Sequence, residues 1–157
     1  MRRRNGGGHG PRSRRAREFR ACETEAGRNA GGGVVCDDRY VRQTVLIVDD
    51  HAAFRESASA LLEAEGFKVI GEAADGPGAI VEAARLRPQV VLLDVRLPGQ
   101  DGFEVARLLA ASSEPPVVVL VSSRDAATYG ARLEAAPVRG FIAKRELSGD
   151  TLAALVG

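Results

Sequence analysis

The chain has no tryptophan, few aromatic residues and only two cysteines, and the scarcity of cysteine in particular limits the class of protein to which it can belong. Aromatics make up 4% of the 157 residues. Both cysteines, Cys22 and Cys36, precede residue 43, so the rest of the chain has no disulfide framework, which is typical of cytoplasmic proteins. No run approaches the roughly 20 apolar residues that cross a bilayer. We therefore expect a cytoplasmic protein that has no membrane partner.

Charge is distributed unevenly along the chain. Residues 1–42 hold eleven arginines and five acids, a net charge of +6, whereas residues 43–157 hold eleven basic residues and sixteen acids, a net charge of −5. The first segment is rich in Arg and Gly and has no apolar period. Such a composition buries too little apolar surface to offset the entropy of ordering. We predict a disordered tail at residues 1–42.

Two alternatives for the tail stay open. An Arg-rich arm attracts nucleic acid phosphates, but no aromatic platform or folded nucleic-acid reader accompanies this one, so nucleic acid is not favoured as a partner. The other alternative is a gene-start artefact, because a valine codon can start bacterial translation and Val41 stands just before the first apolar run.

From Thr44 onward, short apolar runs alternate with amphipathic stretches. Phe54, Ala58 and Leu62 fall on one helical face, Gly66 stands where a helix C-cap is expected, and Asp101 opens an apparent capping box. Three of the five runs are nearly continuous Val, Ile and Leu, as in parallel strands buried on both faces. The runs are Val45–Val48, the run around Val69 and Ile70, Val90–Leu93, Val117–Val121 and Phe141–Ala143.

Strand followed by helix, five times over, predicts an α/β fold, a (βα)₅ doubly wound parallel sheet with helices on both faces. Ligands of such sheets bind beyond the carboxyl ends of the strands. The residues that follow the strands therefore indicate the chemistry of the site.

Acidic, hydroxyl and amine side chains follow four of the predicted strands. Asp49 and Asp50 end the first strand and Asp94 ends the third, so three carboxylates converge, an arrangement that a hard cation such as Mg²⁺ relieves. Ser122 ends the fourth strand and Lys144 follows the fifth. A carboxylate nucleophile, a cation site, a hydroxyl donor and a fixed ammonium are the groups that phosphoryl transfer onto an aspartate needs.

In their order and spacing, four motifs resemble the receiver domain of two-component response regulators. They are VLIVDDH (45–51), VVLLDVRLPGQDG (90–102), VVVLVSS (117–123) and GFIAK (140–144). The resemblance covers the compact part, predicted as a receiver domain at residues 43–157. It implies a flavodoxin-like sheet with strand order 2-1-3-4-5.

The resemblance also assigns roles to residues of the site. It implies that Asp94 is the phosphoacceptor, and that Mg²⁺ is held by Asp94, Asp50, Asp49 through water, and the backbone carbonyl of Arg96. Ser122 and Lys144 would complete the catalytic set by contacting the phosphoryl group. Ser122 and Phe141 would form the switch, although Phe141 lacks the hydroxyl that a tyrosine would have there.

These roles imply a phosphoprotein that is phosphorylated on Asp94, rather than an enzyme that acts on a separate substrate. The implied partners are a sensor histidine kinase or a phosphotransfer protein, together with a homodimer through the face Asp125–Val156. One alternative is a receiver fragment of a helix-turn-helix transcriptional regulator. Another is an aspartyl-nucleophile phosphatase, but such enzymes place an acid/base Asp two residues after the nucleophile, where this chain has Arg96, which cannot serve at neutral pH.

Overall fold

A computed structural model of the chain describes residues 42–157, so the tail predicted at residues 1–42 lies almost entirely outside the described residues. The described part alternates strands and helices as the sequence predicts. Its elements are β1 (Thr44–Val48), α1 (Ala52–Ala64), β2 (Lys68–Ala73), α2 (Gly76–Leu86), β3 (Val90–Asp94), β4 (Arg96–Leu97), β5 (Gln100–Asp101), α3 (Gly102–Ala110), β6 (Val117–Ser122), α4 (Ala131–Glu134), β7 (Gly140–Ala143) and α5 (Gly149–Val156).

Five parallel strands form one sheet in the order β2-β1-β3-β6-β7. Counted along the chain as the five strands of this sheet, the order is 2-1-3-4-5, which confirms the predicted fold. The central strand β3 is buried along its whole length. Its register pairs Asp94 with Val121 on β6, and Ser122 pairs with Ala143 on β7. The carboxyl ends of β3, β6 and β7 therefore meet at one edge of the sheet.

The helices cover both faces of this sheet, and each face has its own apolar core. On one face α2 and α3 pack through a core that includes Ala79 and the fully buried Phe103. On the other face α1 and α5 pack through a core that includes Leu62 and Leu152. Among residues 42–157, no helix is both long enough and apolar enough to cross a membrane.

Two of the predicted helix ends are observed, one of them with a different bond. Gly66, just beyond the end of α1, has φ 99°, a left-handed conformation that glycine adopts without steric cost. Asp101 caps α3, but its side chain accepts from the backbone N–H of Phe103 rather than from Glu104 as in a capping box. The second carboxylate oxygen of Asp101 pairs with Arg132.

The fourth helix is much shorter than the alternating pattern predicts. After β6 the chain makes a 3₁₀ turn at Ala126–Thr128 and then the single helical turn of α4. Gly130 between them has φ 45°, which no right-handed helix contains. Pro137 disfavours helical backbone in the residue before it. The segment between β6 and β7 is therefore a pair of short turns.

Candidate functional site

The carboxyl-terminal edge of the sheet gathers the predicted site residues from four strands. Asp49 follows β1 and is fully buried, Asp94 ends β3 and is 4% exposed, and Ser122 ends β6 and is 1% exposed. Lys144 follows β7 directly. Together with Ser122, the two aspartates are the polar residues classed as buried in the described part of the chain. Burial of two carboxylates is costly unless they are paired. Their presence here indicates that this edge of the sheet is a binding site for charged groups.

Lys144 supplies the positive charge at the centre of the site. Its Nζ lies 2.5 Å from Asp49 Oδ2 and 3.3 Å from Asp94 Oδ2. The contact to Asp94 is also a hydrogen bond, whereas the contact to Asp49 has the distance of an ion pair but not the geometry of a hydrogen bond. The ammonium also lies 4.5 Å from the ring centre of Phe54, a cation–π arrangement. One lysine thus bridges both buried carboxylates.

The pKa of Asp94 is raised above its ordinary value. Burial is the largest cause, and Lys144 opposes it, while the neighbouring Asp49 carboxylate raises the pKa further. A carboxylate with a raised pKa is a stronger base and interacts more strongly with an added cation.

Asp50 and His51 form the exposed rim of the site. The Asp50 side chain is 33% exposed, and the His51 side chain is 69% exposed. His51 Nδ1 lies 2.8 Å from Asp50 Oδ1 and 3.2 Å from Asp49 Oδ1, and the backbone N–H of His51 donates to the same Asp49 oxygen. His51 therefore lies beside both acidic side chains at the entrance of the site.

The donor atoms of this edge fit a hard divalent cation. One ligand atom each from Asp49, Asp50, His51 and Asp94 lies within 4.8 Å of the others. Asp49 Oδ2 is buried and, within the described part of the chain, its charged neighbour is the Lys144 ammonium at 2.5 Å, so this oxygen already faces a cation. Carboxylate oxygens are the ligands that Mg²⁺ prefers. The backbone N–H of Arg96 donates to Asp94 Oδ1 at 3.3 Å, and the role of the Arg96 carbonyl as a further ligand stays a prediction.

Ser122 makes a contact that the sequence did not predict. Its Oγ lies 2.7 Å from Tyr129 Oη, and the backbone N–H of Arg124 donates to Ser122 Oγ at 3.1 Å. The Tyr129 ring packs against Phe141 at 5.8 Å and Phe103 at 5.7 Å between ring centres. Tyr129 had no signal in the sequence because the segment that carries it follows no helical period.

Arg55 is a second residue that the sequence analysis missed. Its Nη1 donates to the backbone carbonyl of Asp49 at 2.7 Å, and its Nε donates to Glu72 Oε2 at 3.0 Å. Arg55 thereby ties the end of β1 to β2 and fixes the backbone that carries the acidic pair. Its position one turn into α1, facing the strand ends, is the only feature that could have indicated it.

Comparisons with known proteins agree with this geometry. Residues 45–156 match the response regulator receiver domain. The chain is 44% identical over 106 residues to protein-glutamate methylesterase/protein-glutamine glutaminase 6 of Anaeromyxobacter dehalogenans, an alignment that covers 67% of this chain and 30% of that protein. It is 44% identical over 87 residues to the DNA-binding response regulator MtrA of Mycobacterium tuberculosis, covering 54% of this chain and 37% of that protein.

Solved receiver structures have the same fold. The signal receiver domain of the response regulator NarL from Mycobacterium tuberculosis superposes with a TM-score of 0.65 at 31% identity, covering 74% of this chain and 98% of that one. The chemotaxis response regulator CheY4 of Vibrio cholerae gives a TM-score of 0.63 at 25% identity, covering 72% and 94%. The chain belongs to the response regulator receiver domain family. It spans about a third of the length of the two curated relatives described above.

Proposed function

We propose that the chain is a phospho-accepting receiver of a two-component phosphorelay, in which Asp94 takes a phosphoryl group. The observation that carries this proposal is the bridging of two buried carboxylates, Asp49 and Asp94, by Lys144 beside an acidic cluster. Such a set of buried charges is costly to the fold. A site that binds a cation and a phosphoryl group gives each of these charges a partner.

Asp94 is the proposed nucleophile of this reaction. A carboxylate oxygen of Asp94 forms a bond to phosphorus while the bond from phosphorus to the donor's nitrogen or oxygen breaks, and the leaving group departs with that electron pair. The raised pKa of Asp94 accompanies a more basic carboxylate. The proposed phosphodonors are a sensor histidine kinase or a phosphotransfer protein.

The other site residues act on the phosphoryl oxygens. Lys144, already 3.3 Å from Asp94 Oδ2, supplies a positive charge, and the Ser122 hydroxyl supplies a hydrogen-bond donor. Mg²⁺ would be held by Asp49, Asp50, Asp94 and the backbone carbonyl of Arg96, and it would neutralise charge on the transferring group. The reaction is a self-catalysed transfer with later self-catalysed hydrolysis, so no separate substrate is turned over.

Intact-mass spectrometry tests this assignment. With acetyl phosphate or phosphoramidate and Mg²⁺, we expect one added phosphoryl group that hydroxylamine removes, and no addition when EDTA replaces Mg²⁺. Asp94→Asn is expected to abolish the addition. Asp150→Asn, which removes an exposed acid on α5, is the matched control and is expected to label like wild type. Undiminished labelling of Asp94→Asn would contradict the proposal.

The proposed output is a change of the face Asp125–Val156, through Ser122 and Phe141. This face holds both short turns of the segment after β6, together with β7 and α5. It is the proposed surface for a downstream protein or for a second copy of the chain.

A second candidate is that the chain is the receiver part of a longer transcriptional regulator. It is favoured by the similarity to MtrA, described as a DNA-binding response regulator, of which this chain spans 37%. An immunoblot of cells that make the protein, with an antibody raised against residues 42–157, distinguishes the two. A band at the 16.6 kDa of this sequence supports the single-domain form, and a substantially larger band supports the regulator.

A further inference from the structure

The hydroxyl proton of Ser122 has one acceptor within the described part of the chain. Ser122 is 1% exposed, and a buried hydroxyl is costly without a hydrogen-bond acceptor. Of its two hydrogen-bond partners, the backbone N–H of Arg124 can only donate. Tyr129 Oη, 2.7 Å away, can accept. Tyr129 Oη is thus the acceptor available to the Ser122 proton within the described residues. In that direction of the bond, the Tyr129 proton faces solvent or the cavity of about 430 Å³ that Tyr129 lines.

Tyr129 is also the aromatic anchor of the segment after β6. Residues 123–128 are exposed, whereas Tyr129 and Leu133 pack on the core beneath them. The ring of Tyr129 lies between those of Phe103 and Phe141, and Arg132 lies 4.4 Å over the Phe103 ring. A change in the Ser122 contact thus reaches this exposed segment through one side chain.

We propose that Tyr129 is a positioning residue for Ser122. When Asp94 is free, Tyr129 Oη accepts the proton of the Ser122 hydroxyl, and when Asp94 carries a phosphoryl group, Ser122 donates that proton to the phosphoryl group instead. The proposal rests on the proposed function, because it needs the phosphoryl group on Asp94. A serine has one proton to donate. The phosphoryl oxygen and the Tyr129 oxygen therefore compete for this proton. A charged phosphoryl oxygen is a stronger acceptor than a phenol oxygen, so Ser122 donates to the phosphoryl group.

This assignment adds a residue that senses the site on the segment after β6, next to Phe141 of β7, which the resemblance implies. Phe141 has no polar atom with which to compete for the Ser122 proton, and it contacts Tyr129 as an apolar neighbour. Once Ser122 donates elsewhere, Tyr129 must reverse its hydrogen bond or separate from Ser122. Either outcome changes the surroundings of the phenol.

The substitution Tyr129→Phe tests the competition. It keeps the ring and its packing but removes the competing acceptor, so the Ser122 hydroxyl is free for the phosphoryl position. We expect beryllium fluoride with Mg²⁺, measured by isothermal titration calorimetry, to bind about two- to tenfold more tightly, since one hydrogen bond is worth about 0.5–1.5 kcal/mol. Tyr40→Phe, the same substitution at the other tyrosine of the chain, is the matched control and is expected to leave the affinity unchanged.

A double-mutant cycle separates this effect from a general change of packing. In the Ser122→Ala background the competition has no proton to compete for, so Tyr129→Phe is expected to leave the affinity for beryllium fluoride unchanged. Persistence of the gain in that background would overturn the proposal. So would an unchanged or weaker affinity of the single Tyr129→Phe variant.

Tyrosine emission gives a second readout. The chain has two tyrosines and no tryptophan, so in a Tyr40→Phe background the emission comes from Tyr129 alone. Beryllium fluoride is expected to change this emission, and Ser122→Ala is expected to abolish the change. An equal change without Ser122 would overturn the proposal. If beryllium fluoride binds neither wild type nor any variant, the proposed function is wrong and the role of Tyr129 is wrong with it. If beryllium fluoride binds normally but neither its affinity nor the emission depends on Ser122 and Tyr129 together, only the role of Tyr129 is wrong.

Discussion

At the scale of single residues, the site is a set of like charges held together by one cation. Asp49, Asp50 and Asp94 lie within a few ångströms of one another, and Lys144 bridges the two buried members. Like charges at such distances disfavour each other's ionised forms, whereas a lysine favours them. The fold carries this arrangement at a cost to stability, and that cost can be measured without any phosphodonor.

The first prediction concerns that cost at Asp94. Its folded-state pKa is raised above the ordinary value, mainly by burial, so the folded protein binds this proton more tightly than the unfolded chain does. The free energy of unfolding therefore decreases as pH rises from the ordinary pKa of an aspartate to the raised pKa of Asp94 in the folded protein. In EDTA at pH 7, Asp94→Asn is expected to raise the urea midpoint with an unchanged slope. The gain should disappear as pH falls to the ordinary pKa of an aspartate.

The control for this prediction is Glu56→Gln, which removes an exposed charge within α1 and is expected to leave the midpoint nearly unchanged. A lower midpoint for Asp94→Asn at pH 7 would mean that the attraction of Lys144 exceeds the cost of burial.

The second prediction concerns the cation. Mg²⁺ that binds only the folded state raises stability by about 2.7 kcal/mol at a concentration one hundred times its dissociation constant. We expect Mg²⁺ to raise the urea midpoint of wild type and to have much less effect on Asp50→Asn. Glu56→Gln removes an exposed acid on α1 and should respond like wild type. Equal stabilisation of all three proteins would place the bound cation elsewhere.

At the scale of secondary-structure elements, the start of α3 packs closely against the backbone at the end of β3, which carries Asp94. Gly102, the first residue of α3, donates its N–H to the carbonyl of Val95 at 2.9 Å. A Cβ at Gly102 would lie 2.8 Å from Val95 Cα and closer still to the backbone carbonyl oxygen of Asp94. Backbone cannot yield as a flexible side chain can, so this glycine allows a close approach of two chain segments.

The third prediction is that Gly102→Ala displaces the backbone at Asp94. We expect a loss of about 1–3 kcal/mol in the free energy of unfolding, as for other overpacked sites, together with weaker Mg²⁺ binding. Gly99→Ala, in the turn between β4 and β5 just before α3, is the control. Its φ of 66° makes a side chain strained, but nothing lies within 4 Å of its Cβ, so it should lose about 1 kcal/mol and bind Mg²⁺ normally. Normal Mg²⁺ binding by Gly102→Ala would show that this contact between α3 and the end of β3 does not hold the site in place.

The sequence predicts best the strands and helices that have a clear pattern of apolar residues. Continuous apolar runs indicate the strands because both faces of this sheet are buried, and residues that follow such strands must meet at one edge. This is why Asp49, Asp94, Ser122 and Lys144 could be brought together from the sequence alone. The sequence could not indicate the contact between Ser122 and Tyr129, because Gly130 and Pro137 break the helical period of the segment that carries Tyr129. The brief strands β4 and β5 are also too short for any pattern.

At the scale of the whole molecule, the site and the proposed output face are joined through the sheet edge. Ser122 pairs with Ala143 on β7, and Lys144 follows that residue directly. The segment after β6 contacts the site through Tyr129. A phosphoryl group would add roughly two negative charges at Asp94, so its effects are expected to spread toward β7, the short turns and α5. Helix α2 packs against β2 and α3, away from these contacts.

The last prediction concerns which amide groups change when a mimic of the phosphoryl group binds at Asp94. On addition of beryllium fluoride with Mg²⁺, we expect amide chemical-shift changes at the strand ends and also across Asp125–Val156, with little change in Gly76–Leu86. The coupling is a biased equilibrium between two arrangements, so a few kcal/mol of differential contact with the phosphoryl position is enough to shift it. Ser122→Ala is expected to bind the ligand more weakly and, at saturation, to confine the changes to the strand ends. If wild-type changes were confined there too, the protein would carry phosphate without switching a face.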